Sequence, residues 1–223
     1  MATASIGTAP EPRAGRLLVS HVADQGSAAH PYIDSPRLVR GGEASRNLAD
    51  VVHLLSVLHG LQPGVVDHAA EVTTDSSSRG WLRAVADRFM EERAFLARLA
   101  VAVGPLPSTP GAGDSDMVLQ GQRHAVLMLS QSERQGCALG AAAALLLDWQ
   151  SIRSVLDIAA DRFGVALPST PFISPADVRA AIDAAARSPS AERALLFGAE
   201  QILVQHYGLW DLLEARQQAR AEG

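Results

Sequence analysis

Three ionisable residues in this sequence occupy positions where the surrounding pattern calls for an apolar side chain. Glu92 fills the gap in a three-four repeat formed by Leu82, Val85, Phe89, Leu96, Leu99 and Val103. Asp148 lies within a turn of Leu145 and Ile152 and is the only charge between Arg134 and Arg153. His206 completes the repeat between Leu203 and Trp210. Each belongs to a different long helical stretch. A buried charge without a partner costs several kcal/mol, so each of the three calls for an arginine, a hydrogen-bond network or a metal ion.

Two chemistries follow from these residue types. As ligands, Glu92, Asp148 and His206, with His68 as the next candidate, would hold iron, manganese or zinc inside a helical bundle, where oxygen chemistry or hydrolysis follows from the metal. His68 joins the set because Glu71 lies three positions on, and residues i and i+3 are neighbours on a helix. His124, Glu133 and Glu200 form an outer ring around the four. As a network, the same groups would pair with arginines such as Arg123, Arg153 or Arg193, fix the register of the bundle and carry no chemistry.

The metal reading resembles the ferritin-like di-iron and di-manganese bundles in architecture only. Those bundles carry a pair of Glu-x-x-His motifs, and this chain has none. His68 and Glu71 run in the reverse order, while Glu200 and His206 are six positions apart and do not share a helix face. No phosphate loop, dinucleotide fingerprint, CxxC pair, HExxH or GxSxG element is present either. Whether the protein is an enzyme is left open, and the expectation is a structural or partner-binding module with a buried polar network.

The elements that must position these residues are helices. Alternating β-branched runs are lacking, and the three-four spacing of apolar residues predicts an all-α bundle of six or seven helices. Residues 1–42, in which Ala, Gly, Pro and Ser are in excess, read as an irregular arm with a short helix near Arg16 to Ala23. Residues 43–223 read as one helical domain. Its frame is three helices, Arg79 to Val103, Gly136 to Phe163 and Ala191 to Ala219, joined by shorter ones near 43–59, 63–73, 117–133 and 174–187. The middle frame helix starts with GCALGAAAALLLDW, an uncharged apolar run of about 12 residues to Leu147, too short for a bilayer and suited to burial by other helices. A break is expected near Gly136, because an unbroken helix from 117 to 163 would reach about 70 Å. Gly136 and Gly140 give this helix a small-residue face for a close neighbour, a homo-oligomer or a protein partner. Cys137, the one cysteine, is expected as a small buried hydrophobe.

His53 falls with Arg46 and Asp50 on a wet face, His59 in a last helical turn favoured by the dipole, and the charged tail beyond Glu214 in solvent. His21 and His30 are placed in solvent by default. The sequence Leu-Pro-Ser-Thr-Pro occurs twice, at 106–110 and 167–171, a candidate trace of duplication.

The chain carries a formal charge of -5, and all 19 of its basic residues are arginine. A mildly acidic protein without a basic cluster is expected to bind neither nucleic acid nor an anionic membrane. One cysteine and no leader-like start place it in the cytoplasm.

Overall fold

The computed structural model describes residues 13–222, so the first twelve residues of the arm lie outside the described residues. It is all-α, with nine α-helices and one 3-10 turn among the described residues. In chain order these are α1 (Ala14–Gln25), the 3-10 turn (Ser27–Ala29), α2 (Pro36–Val39), α3 (Ala44–His59), α4 (Val65–Val72), α5 (Ser76–Ala102), α6 (Ala112–Ser130), α7 (Cys137–Phe163), α8 (Pro175–Ala185) and α9 (Pro189–Glu222). The two helices beyond the expected seven lie in the segment read as an irregular arm: α1 contains the short helix expected near Arg16 to Ala23 and is longer, while α2 was not expected.

That segment was hard to read because α1 buries small residues, Ala14 and Gly15, together with Leu18, rather than a conventional stripe. Gly15 packs so closely on α8 that a Cβ there would strike the Arg179 backbone carbonyl. Its N–H donates to Asp183 Oδ1 at 2.8 Å, so a carboxylate of α8 satisfies an amide at the start of α1. Ser35 caps α2 through the Arg37 N–H, and Pro36 occupies its first turn.

The frame is as expected: α5, α7 and α9 are the three longest helices. The first thirteen positions of α7, Cys137 to Trp149, are buried with no gap, which makes it the central helix of the bundle. Gly136 precedes it with φ 95°, a left-handed conformation that breaks the path from α6, and Gly164 closes it with φ 69°. The crossing of α7 and α9 is a glycine contact. A Cβ at Gly140 would run into the Leu195 carbonyl, and one at Gly198 into the Cys137 carbonyl. The Gly136 and Gly140 face is therefore filled by α9 of the same chain, which corrects the expectation that it is open to a homo-oligomer or protein partner.

The α9 tail differs from expectation as well. Arg216 and Gln217 are buried, because Arg216 Nη2 donates to Asp50 Oδ1 at 2.9 Å and to the Pro107 carbonyl at 3.1 Å. Arg220 bonds Asp50 Oδ2, Thr109 Oγ1 at 2.6 Å and Asn47 Oδ1 at 2.7 Å. This clasp ties the end of α9 to α3 and to the loop after α5. It also separates the two Leu-Pro-Ser-Thr-Pro copies, since Thr109 is buried in the clasp while Thr170 is exposed and donates to Glu91 Oε1. No helix among the described residues is long and apolar enough to cross a membrane.

Candidate functional site

Two of the inward carboxylate and histidine candidates meet. Asp148 of α7 and His206 of α9 are both fully buried, and His206 Nδ1 lies 2.6 Å from Asp148 Oδ2. The other carboxylate contacts come from the 3-10 turn. Ser27 donates its backbone N–H to Asp148 Oδ1 at 2.7 Å and its hydroxyl to Oδ2 at 2.6 Å. Gly26 makes this approach feasible, for a Cβ there would collide with the Val22 carbonyl and with Asp148 Oδ1.

The far nitrogen of His206 faces a residue that sequence reasoning placed elsewhere. His59, in the last turn of α3, puts its Nε2 2.9 Å from His206 Nε2 and is 4% exposed. His206 thus bridges the two groups, with one ring nitrogen on the Asp148 carboxylate and the other sharing a hydrogen bond with His59 Nε2. The result is a four-membered relay, Ser27 to Asp148 to His206 to His59, running from the 3-10 turn through α7 and α9 to α3. His59 Nδ1 then has no partner among the described residues. Burial pushes the His59 imidazole well below its ordinary pKa, and the nearby His206 and Arg93 push in the same direction. His59 is thus a neutral imidazole held edge-on to Trp149, with ring centroids 5.7 Å apart.

Glu92 belongs to a second network. It accepts from Trp149 Nε1–H at 3.0 Å and from Arg153 Nη1 at 2.6 Å, and Arg153 Nε in turn donates to Asp157 Oδ1 at 2.7 Å. Of the arginines considered as its partner, Arg153 is the one used. Trp149 joins the two networks covalently, since it follows Asp148 in α7. His68 is remote from both networks, against Glu71 at 3.4 Å on the surface of α4. Among the described residues no group of three or more His, Cys, Asp or Glu side chains is placed to hold a metal ion, and the iron, manganese or zinc reading finds no support there.

The relay has the residue types of a hydrolytic triad without its geometry. A nucleophilic serine hands its proton to histidine, whereas the Ser27 hydroxyl gives its hydrogen bond to the carboxylate. Four surface cavities among the described residues lie between α5 and α8, around the start of α7, beside the loop after α5 and along α9, and none of these four is lined by Ser27, His59, Asp148 or His206.

Sequence reasoning missed His59, Asp50 and His30. His30 is 3% exposed, with Nε2 3.0 Å from Asp211 Oδ1. Asp50 is 1% exposed and sits in the α9 clasp, and His53, expected in solvent, is half-buried with Nε2 2.8 Å from the Gly104 carbonyl. A detectable signal existed only for α3. Its exposed positions are so few that no polar face runs along it, and a helix of that kind is packed on several sides. Cys137 is buried, as expected.

A family model, described as a family of unknown function, DUF6975, matches residues 22–221. No curated protein and no solved structure matches the chain.

Proposed function

We propose, for a chain that belongs to the DUF6975 family of unknown function, that it is a helical binding module whose buried polar groups fix its frame and whose partners engage its surface. One observation carries the reading. Every member of the Ser27, Asp148, His206 and His59 relay is shut away from solvent, and each is hydrogen-bonded to another member. Groups that act on a substrate must touch it, and these are enclosed by one another and by the core around them. What they do instead is join four separate parts of the chain, a use for which buried polar networks are well suited.

The test compares the intact protein with His206→Gln. Under this reading, neither form turns over p-nitrophenyl esters above the buffer rate or reacts with a fluorophosphonate probe, and elemental mass spectrometry finds no stoichiometric metal, while His206→Gln unfolds at lower temperature. Probe attached to Ser27, or a stoichiometric metal lost on His206→Gln, would overturn it.

A further inference from the structure

We propose that the cleft between α5 and α8 binds a small amphipathic carboxylate, with the apolar body of the ligand against Trp81 and its carboxylate on Arg88. The assignment rests on the binding-module reading and gives that module a ligand class.

The cleft has a volume of about 390 Å³, within the range of small-molecule sites. Its wall from α5 carries Trp81, Ala84, Val85 and Arg88, residues that recur at three-four spacing and so share one helix face. Opposite stand Ala180, Ala181 and Ala184 of α8, with Ile173 at one end, and these small side chains leave a smooth apolar floor. Trp81 is the exception among the tryptophans. Trp149 and Trp210 are 1% and 0% exposed and belong to the core, whereas Trp81 is half-buried and lines the opening. A partly solvated indole beside an apolar floor is the usual anchor for a flat or aliphatic body.

Charge decides which headgroup fits. Four ionisable residues line the cleft: Asp75, Asp177, Arg88 and Arg187. Asp75 is committed to the α5 N-terminus, where the Ser78 N–H and hydroxyl both donate to it at 2.8 Å and hold its carboxyl below the usual range. It also pairs with Arg187 at 3.2 Å. Asp177 stands in the first turn of α8, where the helix dipole offsets a negative charge. Arg88 is exposed, and among the described residues no ion pair, hydrogen bond or ring contact engages it. Asp177 and Arg88 are the two lining charges without an ion pair among the described residues, and with Asp177 offset by the α8 dipole the group left open to a ligand is the Arg88 guanidinium, whose natural complement is a carboxylate.

The experiment follows the Trp81 indole resonance, assigned with Trp81→Phe, in nitrogen-15 spectra of the full chain during titration with sodium octanoate, octylammonium chloride and p-nitrophenyl octanoate. Arg83→Ala is the control, because Arg83 is exposed on α5 but does not line the cleft. Octanoate should shift the Trp81 signal saturably in the intact protein and in Arg83→Ala, and its dissociation constant should rise roughly ten-fold in Arg88→Ala, the size of one charge-assisted hydrogen bond at a partly solvated site. Octylammonium should bind more weakly than octanoate. A Trp81 signal unmoved by octanoate, octylammonium binding as tightly as octanoate, or an unchanged constant in Arg88→Ala would each overturn the assignment. Cleavage of the ester that disappears in His206→Gln, with the Trp81 shift intact, would support the cleft as the ligand site and sink the non-catalytic reading instead.

Discussion

An imidazole that stays neutral in the native state but titrates freely in the unfolded chain couples stability to pH, and His59 is such a group. Its native pKa is lowered well below 6.5, first by burial and then by the neighbouring His206 and Arg93. As pH falls below about 6.5, the unfolded chain takes up a proton at residue 59 that the native state refuses. The unfolded state then binds more protons, so stability rises with pH. The contribution is fully present above the unfolded value and is lost as pH falls toward the lowered native one. Urea midpoints should therefore drop between about pH 7.5 and pH 5.5, and His59→Gln should show a smaller drop over the same interval. An equal drop in that variant would place the effect on another group. Asp148→Ala removes the acceptor of three hydrogen bonds and should cost about 3–5 kcal/mol by denaturant unfolding, with far-ultraviolet helicity retained. Glu92, Asp148 and His206 could be read from the sequence because each interrupts an apolar repeat. His59 could not, because α3 is packed by α2, α5, α6, α7 and α9, and a helix buried on several sides has no gap to mark the inward polar residue.

At the scale of single helices, glycines of the same type have opposite roles. Gly80 in α5 and Gly121 in α6 have open space around the position of a Cβ, so their only effect is to loosen the unfolded chain and weaken the helix. Gly80→Ala and Gly121→Ala should each stabilise by about 0.5–1 kcal/mol, seen as a higher Tm. Gly140→Ala and Gly198→Ala gain the same propensity but push a methyl group into a backbone carbonyl across the α7 and α9 crossing, and they should destabilise by roughly 1–3 kcal/mol or more. A rise in Tm for either would mean that the two helices part at little cost. The extents of α3 and α5 to α9 were legible within a few residues, because Gly60, Gly136, Gly164 and Ser174 mark their ends chemically. The sequence also showed that Gly140 offers a close approach. What it withheld was the identity of the neighbour, since a small-residue face fits α9 and a second protein equally well until the chain path is known.

Across the whole molecule, the end of α9 is tied back to α3 by charge. Asp50 of α3 is 1% exposed and faces Arg216 and Arg220, which lie 166 and 170 positions along the chain. Ending the chain after Ala215 would leave that carboxylate buried without a counter-ion, and should cost about 3–5 kcal/mol, whereas Asp50→Asn in the truncated chain should recover part of the loss. Equal stability of the two truncated forms would show that Asp50 finds another partner. The all-α architecture was visible because helical periodicity is a local property. The clasp was not, because an arginine in an apparently solvated tail and an aspartate beside polar neighbours carry no local sign of each other. The same pairing sets a timetable for synthesis. At 5–20 residues per second, Asp50 emerges from the ribosome on the order of ten seconds before Arg216 does. Throughout that interval the Asp50 carboxylate of α3 lacks the two guanidinium groups that neutralise it in the finished fold, so this part of the core closes only when α9 has been made.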